Sequence, residues 1–279
     1  MKYATTTPVG KPASERRMRP RQNNLVSPEN LRRNGMLAAM TQAELLRLQS
    51  HLELMQMAAG DVLYRSDIPC GNVYFPTTSI VSLNYILEDG ACAEIAMIGN
   101  EGMLGVPIFM GAGSSPSRAV VLRGGYAYRI NARFLLNEFN HNGPFLHLLL
   151  RYTQALTAQI AQNAVCNRHH RLYQQLCRFL LLMLDRQESN QVILTQDMIG
   201  TILGFRREGV TEAAKKMQQD GLITYTRGHI VVIDRHRLEQ NACECYQVVK
   251  REYQRVLTQA IAPQSASSKG QPQILSTMM

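Results

Sequence analysis

The sequence predicts an α+β chain: an N-terminal jelly-roll β-barrel, one long helix, and a C-terminal winged helix-turn-helix. Three observations carry this prediction. Hydrophobic residues fall in short strand-like runs between residues 60 and 130, then recur at three and four from 145 to 165. Beyond residue 194, two short helical patterns meet at Gly204-Phe205, and two β-rich runs follow around a glycine turn. With 279 residues and 45% hydrophobic content, the chain has room for two domains with buried cores and a connecting element.

Taken in order, residues 1–34 are rich in Pro, Arg, Thr and Asn and lack hydrophobic periodicity, which predicts a disordered basic tail. Leu37, Met40, Leu45 and Leu48 keep helical spacing, and predict one helix over 36–54 that enters the next domain. Runs at 62–64, 73–75, 80–87, 93–98, 119–122 and 126–130 are bounded by Gly, Pro, Asp or Asn, as strands are. Asp89-Gly90 between two of them is a hairpin signal. Several short strands in about seventy residues imply a sandwich or jelly-roll barrel, assigned to 35–140. No histidine lies between His51 and His141, so a metal-dependent jelly-roll enzyme lacks its imidazole ligands.

Residues 141–167 form the predicted long helix. Leu149, Tyr152, Leu156, Ile160 and Asn163 recur at nearly the a/d spacing of a two-helix seam, which also suits one side of an intramolecular core. Residues 168–257 make the last domain, opened by Leu172, Leu176, Phe179, Leu180 and Met183 on a packed helix. Thr195 then suits a helix N-cap, with Asp197 in the first turn, and Ile199, Ile202 and Leu203 give an apolar stripe. The second helix stops at Gly221. Val210, Ala213, Ala214 and Met217 fall on one side of it; Arg207, Glu208, Thr211, Glu212 and Lys215 fall on the other. On spacing alone, such a pair is either a DNA-binding helix-turn-helix or an ordinary helical hairpin with a solvated face. Leu222-Ile-Thr-Tyr, Thr226-Arg-Gly-His and Ile230-Val-Val-Ile add a wing, which favours the first. Residues 234–257 turn helical again and carry Cys243-Glu-Cys245. Cysteines at i, i+2 on a helix point apart, so packing is expected there and no metal site is predicted. Residues 258–279 read as a disordered tail.

Charge agrees with this division. The net charge of +9 splits as +6 over residues 1–35, −2 over 36–165 and +4 over 166–257, with Lys269 supplying the rest. A basic terminal domain suits phosphate, although basic charge also merely keeps proteins soluble. The six cysteines show no C-x-x-C pair and no zinc-finger spacing. Without a signal peptide, a cytoplasmic location is expected. The most apolar run, residues 179–184, is far shorter than the ~20 residues that span a bilayer.

The helix pair and wing resemble the DNA-binding domain of the Crp/Fnr family of bacterial transcription regulators. The family pattern T-x-x-x-I-G-x-x-x-G-x-x-R-E-x-V is matched by Thr195, Ile199, Gly200, Gly204, Arg207, Glu208 and Val210. Gly60-Asp-Val-Leu, Val73-Tyr-Phe-Pro and Ile98-Gly-Asn-Glu-Gly-Met-Leu-Gly are similar to the family's sensory barrel, which has the cyclic-nucleotide-binding fold. The resemblance implies a homodimer on a palindromic operator, joined through Leu149, Tyr152, Leu156, Ile160 and Asn163. It implies base reading by Arg207 and Glu208, with Thr211 and Glu212 beside them; Glu212 stands where members often carry a second base-reading arginine. Thr195, Gln196, Arg206, Lys215, Lys216, Arg227 and His229 are the expected contacts to the DNA backbone. Nucleotide-binding members carry Gly-Glu and, further on, Arg-Ser or Arg-Thr before Ala. Here those places hold Gly105-Val106 and Ser117, with Arg118 displaced by one residue. Valine accepts no hydroxyl hydrogen bond, and a one-residue slip turns a strand side chain to the opposite face. Cyclic nucleotides are therefore not expected to bind. The redox branch uses N-terminal cysteines, and the first one here is Cys70, so no cofactor is implied. The expected partners are double-stranded DNA, a second copy of the chain and RNA polymerase, with an unidentified small-molecule effector, no membrane and no catalysis. The rival reading is a ligand-binding sensory module whose helix-turn-helix contacts protein.

Overall fold

In the computed structural model, which describes residues 28–66 and 68–261, three short helices open the fold: α1 (Pro28–Leu31), α2 (Gly35–Ala38) and α3 (Gln42–Gln49). The expected tail up to residue 34 therefore ends earlier. Leu31 is fully buried, and Asn34 is tied down at both ends of its amide. Its Nδ2 donates to the carbonyls of Pro76 and Gly102 (both 2.8 Å), and its Oδ1 accepts from Met36 and Leu37. The rest of both predicted tails, residues 1–27 and 262–279, lies outside the described residues. The single helix expected over 36–54 is broken by a capping box, in which Thr41 and Glu44 satisfy each other's backbone and restart the helix. Leu54 belongs to a strand, β1 (Glu53–Met57).

The predicted strands follow as β2 (Val62–Tyr64), β3 (Asn72–Pro76), β4 (Ile80–Ile86), β5 (Cys92–Ile98), β6 (Arg118–Arg123) and β7 (Gly125–Asn131), with a short helix α4 (Val106–Phe109) before β6. They pair antiparallel in two sheets, ordered β1-β7-β3 and β2-β6-β4-β5. Both sheets contribute to one apolar core around Phe75, Val81, Ile98 and Tyr128, and β3 and β4 are buried over consecutive residues, so both of their faces are covered there. The Asp89-Gly90 hairpin joins β4 to β5, with Gly90 at φ +84°.

Two helices lead out of the β-rich domain, α5 (Ala132–Asn140) and α6 (Pro144–His169). The long helix is present, but its inner face is the one expected to form the dimer seam. Leu149 and Tyr152 are fully buried, Leu156 and Asn163 nearly so, all within the same chain. The Tyr152 hydroxyl donates to the Met103 carbonyl (2.7 Å), and Asn163 Nδ2 donates to the Ile95 carbonyl (3.0 Å). Ile160 packs on the same core. Within the chain, Leu149, Tyr152, Leu156 and Asn163 are thus covered by its own β-domain, while Ile160 stays half-buried. Three-four spacing fixes that a helix has an apolar face, not what covers it.

The C-terminal domain runs α7 (Leu172–Asp185), β8 (Gln191–Ile193), α8 (Gln196–Leu203), α9 (Arg207–Gln219), β9 (Ile223–Thr226), β10 (His229–Val232), α10 (Arg235–Asn241) and α11 (Cys245–Ile261). Its sheet has the order β8-β10-β9, so the wing carries a third strand that the sequence reading missed. The helix expected over 234–257 breaks at residues 242–244. Ala242 is extended, so Cys243 and Cys245 do not share a helix and the argument that they point apart fails.

The two domains are locked together. α8 lies against β5, and α11 runs back along α6, where Tyr253 donates to Gln159 Oε1 (2.6 Å) and its ring meets that of Tyr152. At the end of α7, Arg186 reaches into the β-domain. Its guanidinium pairs with Glu101 (2.7 Å) and donates to the carbonyls of Leu182 and Met97, while only 4% of the side chain is exposed. Nearby on β5, the buried Glu94 accepts from Ser82, and burial pushes its carboxyl up to about 7 against the pull of Arg178 and Arg186.

Candidate nucleic-acid interface

The turn between α8 and α9 is set by two glycines. Gly204 takes the left-handed conformation (φ +73°), and the Phe205 amide donates back to the Gly200 carbonyl (2.9 Å). A Cβ on Gly200 would sit 2.7 Å from the Phe205 carbonyl oxygen, closer than real contacts allow. Thr195 caps α8, its Oγ1 accepting from the Met198 amide (3.2 Å). Ile199, Ile202 and Leu203 face Val210, Ala213, Ala214 and Met217 across the domain core. The opposite side of α9 is free: Arg207, Glu208, Glu212 and Lys215 are exposed. Thr211 is half-buried, and its hydroxyl donates to Gln196 Oε1 (2.7 Å), tying the two helices.

An open cleft of about 390 Å³ lies between the start of α8, this face of α9 and the tip of the wing. It brings together Thr195, Gln196, Arg207, Thr211, Lys215 and Arg227, which the sequence singled out. Arg227 and Gly228 both have positive φ (+49° and +85°), the two-residue turn that a tight hairpin needs. Arg207 Nη1 stands 3.6 Å from Asp197, and both side chains are more than 60% exposed. Such an exposed, long ion pair holds little, so the guanidinium remains available to a ligand.

Other expected contacts fall elsewhere. Arg206, Glu208, Glu212 and His229 are exposed but do not line the cleft. Lys216 turns away from it, and its Nζ lies 5.2 Å from the Tyr173 ring centre on α7. Asp197, Ala214, Gln218, Tyr225 and Gly228 also line the cleft and were not among the expected contacts. Gln218 continues the stripe of Arg207, Thr211 and Lys215 by one turn, which helical spacing could have shown. Tyr225 is a packing residue, its hydroxyl donating to the Leu194 carbonyl (3.1 Å) and fixing the wing to the link between β8 and α8.

A second cavity, about 290 Å³, opens between the β-domain and α6. Val106 and Ser117 both line it, with Tyr64, Leu83, Met103, Leu156 and Ile160, and Arg118 does not. No charged side chain is among the lining residues. A phosphate there would meet hydroxyls and hydrocarbon only, which leaves its charge unpaired.

Residues 174–241 match the family model described as a Crp-like helix-turn-helix domain. No curated protein matches the chain by sequence. Among solved structures, a protein from Eubacterium rectale assigned to the Crp/Fnr transcriptional regulators superposes with a TM-score of 0.60 at 15% identity, covering 75% of this chain and 98% of its own. The c-di-GMP-responsive global regulator CLP of Xanthomonas campestris gives 0.57 at 15% identity, with 70% and 100% covered. FixK2 of Bradyrhizobium japonicum gives 0.56 at 17% identity, with 69% and 98% covered. At these identities the likeness is one of fold. Among the described residues, no helix is long and apolar enough to cross a membrane.

Proposed function

We propose that this chain, a Crp-like helix-turn-helix domain on the fold of Crp/Fnr regulators, is a transcription regulator that binds a palindromic operator as a homodimer. The observation that carries the reading is the cleft of Arg207, Lys215 and Arg227 between the second helix of the turn motif and the wing. Duplex DNA fits it by chemistry and by shape. The start of α9 would enter the major groove, where Arg207 bridges guanine O6 and N7 and Glu208 accepts from cytosine N4. The helix N-terminus, Lys215 and Arg227 would sit beside phosphates.

The dimer face follows from what α6 leaves uncovered. Leu150, Gln154, Thr157, Ala161, Ala164 and Arg168 are all exposed and alternate at four and three, the spacing of a two-helix seam. Leu150 and Val165, at 48% and 50%, are among the most exposed large apolar side chains. Thr157 belongs both to this stripe and to the lining of the apolar cavity. An uncharged effector in that cavity would therefore press on the dimer helix and change the angle between the two recognition helices. Ala161→Glu is the test of assembly, because it places charge on the exposed stripe without disturbing the core. Sedimentation is expected to show half the wild-type mass with an unchanged circular dichroism spectrum. Undiminished mass would remove this face from the interface.

A further inference from the structure

Of the buried cysteines, Cys166, Cys243 and Cys245 form a cluster of their own, apart from the main apolar core. His170 joins them, so one sulfur or nitrogen from each of four residues lies within 4.8 Å of every other. Cys166 lies on the last turn of α6, and His170 is the residue that caps it, its amide donating to the Cys166 carbonyl. Cys243 and Cys245 arrive from the break between α10 and α11. We propose that these four residues bind a single zinc ion, which staples the end of α6 to the end of the winged-helix domain.

The distances fit one tetrahedral ion. With metal–sulfur bonds of ~2.3 Å and metal–nitrogen bonds of ~2.0 Å, the edges of such a site are roughly 3.8 Å between sulfurs and roughly 3.5 Å from sulfur to nitrogen. Cys166 Sγ and Cys243 Sγ stand 3.6 Å apart, and Cys245 Sγ and His170 Nδ1 stand 3.5 Å apart. A disulfide would instead bring two sulfurs to about 2.0 Å. An iron–sulfur cluster would spread its ligands over several irons rather than gather all four around one point. Three thiolates and an imidazole in a closed shell select zinc, and leave no open position for chemistry.

The surroundings complete the site. His170 Nε2 lies 3.3 Å from the Glu244 carboxylate, which orients the ring so that Nδ1 faces the sulfurs. Gln162 Nε2 donates to Cys245 Sγ (3.0 Å), and Gln175 Nε2 donates to the carbonyls of Cys166 and His170, holding the turn that presents both ligands. Binding releases up to three thiol protons to solvent and leaves a complex of net charge −1; the buried Arg178, one helix away, offsets it. The inference stands whether or not the winged helix binds DNA.

Full-length protein, expressed with zinc and purified in reductant without chelator, is expected to carry one zinc per chain by elemental analysis. Exchange for Co²⁺ is expected to give the strong visible bands of a tetrahedral site and thiolate-to-metal charge transfer. Cys245→Ser is expected to lose the ion. His170→Cys, which supplies a fourth thiolate, and Cys92→Ser, outside the cluster, are expected to keep it. These two variants decide the matter if Cys245→Ser does not fold. Wild-type protein that takes up neither zinc nor cobalt overturns the proposal. So does iron with matching sulfide, or a metal-free Cys166–Cys243 disulfide in protein purified without air.

Discussion

Glu101→Ala is expected to destabilise the folded chain by about 3–5 kcal/mol, the cost of leaving a buried charge without its partner. Arg186 is 96% covered in its side chain, and Glu101 accepts from it at 2.7 Å while also accepting from the Gly99 amide. Removing the carboxylate leaves the guanidinium with two carbonyls and no directly paired carboxylate, only the weaker pull of Asp185 and Glu94. The loss concentrates at the joint between the domains, because Glu101 follows β5 and Arg186 ends α7. Urea unfolding measures the total, and proteolysis between residues 186 and 191 reads the loosened joint. A loss below ~1 kcal/mol would mean that water takes the place of the carboxylate, as at a surface pair.

Arg207→Ala is expected to weaken binding to the preferred operator by about 1–3 kcal/mol per half-site. In the proposed dimer two recognition helices would act on one palindrome, so the full site should lose about 2–6 kcal/mol, roughly 30-fold at the least. Binding to random duplex should change far less, since a base contact contributes little where no guanine is placed for it. Lys215→Ala supplies the contrast: a phosphate contact weakens both duplexes about equally. Titrating both variants on both duplexes separates the roles. Equal losses for Arg207→Ala would make it a phosphate contact as well.

Much of this architecture was legible because its signals are local. Asp89-Gly90 marks a hairpin through turn chemistry alone; Gly200 marks the helix-turn-helix because a Cβ would strike the Phe205 carbonyl, and Gly204 because the turn needs a left-handed residue. What failed was whatever depends on a partner distant in sequence. The face of α6 carrying Leu149, Tyr152 and Leu156 is apolar, as read, but the cover is the chain's own β-domain. The exposed stripe from Leu150 to Arg168 is mostly polar or small, so hydrophobic spacing passed over it. Lys216 belongs to a basic edge by sequence, but the Tyr173 ring that holds it away from the cleft comes from α7. β8 is three residues long, too short for alternation to register. Cys166 and Cys243 meet across 77 positions of sequence, a distance over which no local motif extends.

Whether the basic cleft binds duplex DNA rather than protein is decided by a salt titration of the wild-type chain on duplex DNA. Each phosphate neutralised by Arg or Lys releases condensed counterions, so log affinity should fall linearly with log salt, by about 0.9 per contact. With the cationic residues that flank the cleft on two copies, a steep line is expected. An affinity for duplex that stays flat across the titration, or no affinity at low salt, would contradict it.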